Sequence, residues 1–334
     1  MPPLLVAVAD SVFPNLDTAR EVLSTIGAQL QLAPQATPEA ILQIAAPADA
    51  LLVTYATITA EMIAQMPRCR IISRFGIGVD NVDIAAATQA GIVVTKVPDY
   101  CIDEVSDHAV ALLLAAARKI PLSNGHVHAG RWEMKAVVPI HRLRGSVLGL
   151  VGFGRIPQLV APKAKSFGLR VIAFDPYVPA DVFAREGVER VEFQQLLNQS
   201  DYVSIHTPLM PETRGLFNAD AFRQMKPAAY LINTARGPIV DEAALAQALD
   251  SGQLAGAALD VMPQEPPVGS PLVGRDNVII TPHTSFYSEE SLLELQRKAA
   301  EEVVAVLSGR PPRNAVNPEA LEGSKLKVQS GTQA

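Results

Sequence analysis

The chain has 334 residues, enough at about 150 residues per domain for two domains with a core each. Apolar residues make up 49 %, charged residues 19 % and aromatics 5 %, ordinary globular usage that excludes collagen-like, coiled-coil and wholly disordered chains. The 28 Lys and Arg against 34 Asp and Glu leave a formal charge of −6, and with no basic block to neutralise phosphates a nucleic-acid backbone is a poor partner.

The N-terminus enters a strand-like run at Leu4 without a basic leader, and the longest apolar stretch, Ala109 to Ala117, stops at Arg118. That stretch is too short to span a bilayer, so neither secretion nor membrane insertion is expected. Cys69 and Cys101 match no disulfide or zinc spacing, which suits a reducing, cytoplasmic setting. Apolar runs at Leu4–Val8, Asp49–Val53, Arg70–Ser73 and Gly91–Val94 alternate with helical periods, the pattern of a parallel sheet covered on both faces. Asp103 to Ile120 then reads as one long helix, a spacer between domains, opened by acids and closed by Arg118, Lys119 and Pro121. Leu122 to Arg144 has no steady period and reads as a loop with some short helix. Six further strands follow, at Val147–Val151, Arg170–Phe174, Tyr202–His206, Tyr230–Asn233, Gly256–Leu259 and Val278–Thr281. They predict a second doubly wound sheet. A last helix, Ser288 to Leu307, turns Leu292, Leu293, Leu295, Ala299, Val303 and Val304 inward, and a polar, frayed tail follows Glu319.

Chemistry first becomes legible between the strand at Val147 and the helix after it, in Gly152-Phe153-Gly154-Arg155-Ile156-Pro157. Gly152 suits a tight turn, and Gly154 lets the backbone approach a pyrophosphate. The amides of Arg155 and Ile156 open the helix whose positive end would face the phosphates. Pro157 replaces the third glycine of a dinucleotide fingerprint; its missing N–H falls in the first turn, where no intrahelical partner is needed. Asp175 ends the next strand about twenty residues on, where a carboxylate accepts ribose hydroxyls and repels a 2′-phosphate, favouring NAD over NADP. The bland reading of the same aspartate is a cap on a turn, and the glycines upstream favour the ribose role.

The sequence resembles the D-isomer-specific 2-hydroxyacid dehydrogenase family, in its phosphoglycerate dehydrogenase-like and C-terminal-binding-protein-like branches. The resemblance rests on Ser73-Arg74-Phe75-Gly76-Ile77-Gly78-Val79-Asp80-Asn81-Val82-Asp83, the fingerprint with Asp175, Asn233-Thr234-Ala235-Arg236-Gly237, Asp260-Val261 with Gln264-Glu265-Pro266, and Thr281-Pro282-His283. It implies an α/β protein of two Rossmann-like or flavodoxin-like domains with an active-site cleft between them. Residues 1–101 with 286–334 would form a discontinuous substrate domain and residues 102–285 the NAD-binding domain. It further implies a homodimer built on the long helix and its following loop.

On this resemblance Arg236 binds substrate, its rigid fork reaching a carboxylate and a keto oxygen. His283 is the acid/base, giving a proton to the carbonyl oxygen as hydride arrives, and Glu265 favours its protonated form and orients it. Taken alone, the histidine reads as a cap and the glutamate as a solvated loop charge. Amides of Gly76, Ile77 and Gly78 would hold the substrate carboxylate. His206, Thr207 and Pro208 neighbour the cofactor, as do Thr234 and Ala235, and Asp260 accepts from the nicotinamide carboxamide. His108, His126, His128 and His141 have no carboxylate at zinc-like spacing, so no metal is expected. The expected reaction interconverts a 2-oxo acid and a D-2-hydroxy acid with NAD. An NAD-sensing scaffold of the same fold is the alternative; a formate dehydrogenase is disfavoured, because that branch pairs its histidine with Gln.

Overall fold

The computed structural model describes residues 3–323. The chain divides into two compact units, Met1–Tyr100 with Ser288–Ala334, and Cys101–Tyr287. The first carries five parallel strands, β1 (Leu5–Val8), β2 (Gln29–Leu32), β3 (Ala50–Val53), β4 (Ile71–Arg74) and β5 (Val93–Thr95), in the order β2-β1-β3-β4-β5. Four of these follow from continuous apolar runs. The edge strand β2 does not, because Gln29-Leu30-Gln31-Leu32 is largely exposed and pairs on one side only.

The last helix, Glu289–Leu307, belongs to this unit and begins in a capping box at Ser288 and Ser291. It buries Leu292, Leu295, Ala299, Val303 and Val306, whereas Leu293, expected inward, is 52 % exposed. One step along a helix is about 100°, which carries Leu293 off the stripe set by Leu292. The tail after Glu319, read as unstructured, forms a short helix at Glu319–Gly323; the rest of it lies outside the described residues.

The second unit holds seven parallel strands: β6 (Val147–Val151), β7 (Arg170–Phe174), β8 (Glu189–Arg190), β9 (Tyr202–Ile205), β10 (Ala229–Asn233), β11 (Leu254–Leu259) and β12 (Val278–Ile280). Their order is β12-β11-β10-β9-β6-β7-β8. Neighbouring side chains on β6 go to opposite layers. Leu148 and Leu150 join Ala109, Leu113, Val160 and Ala164 in one core, while Val147 and Val151 join Leu196, Phe222 and Leu245 in the other.

The helix expected as a spacer, Ile102–Ala117, is therefore part of the domain. Eight of its residues are buried, and it packs on the sheet together with the helix Arg155–Ser166. It stops three residues sooner than expected. Lys119 turns left-handed (φ 51°), and Pro121 starts a separate helix, Ile120–His128, instead of ending the first.

Candidate active site

The sheet of the second unit sets the site by register. Phe174, Val151, Ile205, Asn233, Leu259 and Ile280 are successive ladder partners, a single row across the sheet. The residue after each must emerge at the same carboxyl-terminal edge, and these are Asp175, Gly152, His206, Thr234, Asp260 and Thr281. Chain order reverses direction between β6 and β9, so Gly152 and His206 flank the topological switch point where open α/β sheets bind ligands.

Gly152 is required there. Its φ is +95°, and a Cβ on it would lie 2.9 Å from the backbone of His206 and Thr207. Gly154 caps the helix Arg155–Ser166 with open space beside it, since nothing lies within 4 Å of where its Cβ would be. The Arg155 and Ile156 amides have no acceptor among the described residues, a ready anion site at a helix start. Pro157 is buried inside this helix without disrupting its first turn. The hydroxyl of Thr234 is buried and has no hydrogen-bond partner among the described residues. An open glycine step, free amides and an orphaned hydroxyl along one edge fit a bound dinucleotide.

Asp175 performs the capping role as well. Its Oδ2 accepts the Phe153 amide at 2.8 Å, and its Oδ1 accepts those of Tyr177 and Val178 at 2.8 and 3.1 Å. Oδ2 keeps a second lone pair for a ribose hydroxyl. His206, half-buried beside Gly152, bonds the Ser204 hydroxyl at 2.8 Å, and burial pushes its pKa down to about 3. A ring held neutral in this way is no proton donor near pH 7.

Arg236 follows β10 in the loop after Asn233, whose side chain braces that loop by accepting the Ala235 amide and donating to the Arg236 carbonyl. Gly237 lets it pass close to the next loop, since a Cβ there would lie 2.0 Å from the carbonyl carbon of Met262. Glu265 accepts the Met262 amide at 2.9 Å through Oε1 and bonds His283 Nδ1 at 2.8 Å through Oε2. Burial raises the Glu265 pKa, but the His283 hydrogen bond and charge, the Met262 amide and the Arg236 charge together hold it below the usual carboxylate range. Glu265 is thus an ionised acceptor. Nδ1 carries the proton between them. Arg236, Glu265 and His283 are brought together.

Asp260 is enclosed by the loop that follows β12. Its side chain has no exposed surface. Oδ1 accepts the Thr281 hydroxyl at 2.5 Å and the Thr284 amide at 2.9 Å, and Oδ2 accepts the Ser285 amide at 2.9 Å. A carboxylate so enclosed holds the loop that carries His283. Behind it stands His108, its Nε2 3.0 Å from the Thr281 hydroxyl across 173 residues of sequence, a contact no local spacing announces. The other three histidines that looked unremarkable in sequence join no metal cluster among the described residues.

In the first unit, Gly76 takes φ +151° under the Arg74 guanidinium, where a Cβ would overlap Nη1. The Ile77 and Gly78 amides after it have no acceptor among the described residues.

Residues 110–285 match the family model for the D-isomer specific 2-hydroxyacid dehydrogenase NAD-binding domain. A D-3-phosphoglycerate dehydrogenase of Methanocaldococcus jannaschii is 38 % identical over 315 residues, 94 % of this chain and 60 % of that protein. The chain spans about half to three-fifths of the curated phosphoglycerate dehydrogenases it matches. A glyoxylate reductase of Korarchaeum cryptofilum is 40 % identical over 270 residues, 79 % of this chain and 81 % of that protein. Among solved structures, D-lactate dehydrogenase from Aquifex aeolicus, complexed with NAD and lactic acid, superposes with a TM-score of 0.81 at 26 % identity, covering 96 % of this chain and 98 % of that one. The glycine turn, the charged trio and the strand order that aligns them fall within or beside the matched segment, and the chain belongs to the D-isomer-specific 2-hydroxyacid dehydrogenase family, with NAD as its cofactor.

Proposed function

We propose that the protein is an NAD-dependent oxidoreductase that interconverts a small 2-oxo acid and the D-2-hydroxy acid. The observation that carries this reading is the His283–Glu265 pair at 2.8 Å beside the charge of Arg236, at the edge where Gly152 and Gly154 open the dinucleotide turn. NADH, when bound, supplies the hydride. The Arg155 and Ile156 amides bind its pyrophosphate, Asp175 its adenosine ribose, and the edge formed by His206, Thr207, Pro208, Thr234 and Ala235 lines the rest. Arg236 binds the substrate carboxylate and polarises the keto oxygen. His283 gives its Nε2 proton to that oxygen and ends neutral; in the oxidative direction it takes the proton back. Glu265 keeps Nδ1 protonated and the ring turned.

We further infer a homodimer. The helix Ile120–His128 buries none of its nine residues, and a helix that short needs tertiary packing. Ile120, Val127, Trp132, Met134 and Val138 are all at least half exposed around it, a face suited to a second copy of the chain. Trp132→Glu should then shift sedimentation toward the monomer. Cys69 and Cys101 are free and buried, and no helix among the described residues is long and apolar enough to cross a membrane; we place the protein in the cytoplasm.

The test is NADH oxidation with glyoxylate, hydroxypyruvate and longer 2-oxo acids. Turnover should be abolished by His283→Ala. Arg236→Lys, which keeps charge but loses the planar fork, should lose about 2–4 kcal/mol of transition-state stabilisation, roughly thirty- to a thousand-fold in kcat/KM. Tight NADH binding without turnover of any 2-oxo acid would favour the scaffold reading.

A further inference from the structure

We propose that His108 and Thr281 are positioning residues for His283, acting through Asp260; the inference rests on the reading of His283 as the acid/base. His283 occupies left-handed backbone space (φ 53°), where a side-chain-bearing residue stays only if its surroundings hold it. Asp260 provides that hold from both ends of the residue. Its carbonyl accepts the His283 amide at 2.8 Å, and its carboxylate accepts the next two amides, of Thr284 and Ser285, each at 2.9 Å. One aspartate thus fixes three consecutive amides, while Glu265 fixes the ring.

The Asp260 carboxylate is itself fixed by a hydrogen-bond chain of definite polarity. The Thr281 hydroxyl has one proton and gives it to Asp260 Oδ1 at 2.5 Å. The bond from His108 Nε2 to the same hydroxyl, at 3.0 Å, must therefore run from an Nε2–H into a Thr281 lone pair. His108 Nε2 also lies 3.6 Å from Oδ1. Thr281 and His108 approach from β12 and from the helix Ile102–Ala117, so two separate elements clamp the aspartate that clamps the loop. Ending on a carboxylate with no exposed surface, such a chain is strengthened by its own polarisation.

The experiment uses the full chain with Thr281→Val and His108→Leu, which delete the hydroxyl and the donor, beside Thr281→Ser and His108→Gln, which keep them. Amide hydrogen exchange is read by mass spectrometry over residues 281–287, and kcat, KM and the NADH Kd are measured in parallel. Thr281→Val and His108→Leu should each speed exchange of the 283–285 amides at least tenfold and lower kcat at least tenfold, with KM and the NADH Kd within threefold. Both conservative variants should stay within threefold of wild type in every readout. Because both act through one carboxylate, the double variant should lose little more than either alone. Should Thr281→Val fail to fold, His108→Leu carries the same test. Unchanged exchange, or faster exchange with kcat unaltered, overturns the proposal, as does a parallel loss in the conservative variants. Wild-type protein without turnover would instead refute the hydroxyacid reading, and the exchange measurement alone then decides whether His108 and Thr281 hold the loop.

Discussion

Lowering the pH should destabilise the second unit through His206 in particular. Burial moves its pKa from the ordinary 6.5 to about 3. Between those values the unfolded chain binds a proton that the folded chain refuses, so stability is complete above 6.5 and falls as pH falls toward the folded value. At pH 7 the contribution to the unfolding equilibrium is about 0.2 kcal/mol; at pH 5 it is about 2 kcal/mol against the fold, nearly all of it set by the unfolded value. The contrast to measure is urea unfolding at pH 7 and pH 5 in wild type and in His206→Gln, which retains an amide for the Ser204 hydroxyl but cannot titrate. With an m-value of about 2 kcal/mol/M, wild type should lose about 1 M more in midpoint than the variant over this interval. Other carboxylates and histidines contribute equally to both proteins and cancel. Parallel curves would mean that His206 is protonated in the native state, and its exclusion as a proton donor would fall with them.

Asp175→Ala should raise the NADH Kd and narrow the preference for NADH over NADPH, and it should cost roughly 1–3 kcal/mol of stability because three backbone amides lose their acceptor; equal kcat/KM for both cofactors in wild type would contradict the assigned role. Glu265→Gln removes the charge beside His283 Nδ1, so the reductive kcat should fall about tenfold or more with the NADH Kd little changed, and an unaltered kcat would show that Glu265 does not support the histidine. Pro157→Gly should change the NADH Kd by less than about tenfold, or roughly 1.4 kcal/mol, because Pro157 sits in the buried first turn while the amides proposed to bind the pyrophosphate are those of Arg155 and Ile156. NADH binding that appears only in Pro157→Gly would mean that the proline disables the site.

Local chemistry made most of the strands legible and left particular elements hidden. Runs such as Ala50–Val53 and Val147–Val151 are buried on both faces and read as strands without help. The strand β8 is two exposed residues, Glu189 and Arg190, and only its pairing to β7 defines it. The helix Ile120–His128 was illegible for a related reason: with no buried face it has no apolar stripe to betray its period. Gly152, Arg236, Glu265 and His283 could be singled out because each lies in a short motif. Asp260 was visible as a residue, but its hold on the His283 loop was not, since that hold depends on what stands beside it.

The neighbour of Asp260 follows from the ladder. Leu259 and Ile280 are parallel partners, so the residues after them, Asp260 and Thr281, emerge side by side whatever the intervening loop contains. Parallel pairing thus converts two remote positions into a hydrogen-bonded pair, and the loop beyond Thr281 can return its amides to the same carboxylate. Glu265 reaches His283 differently, from a loop whose position depends on Gly237 leaving room for Met262 and Pro263. The two carboxylates therefore answer to different parts of the fold. Register places the one that holds the backbone, and close loop packing places the one that holds the ring. A substitution at Gly237 should disturb the ring while sparing the backbone hold, and one at Thr281 should do the reverse. Either alone would leave His283 present in the site and wrongly presented for the proton transfer proposed for it.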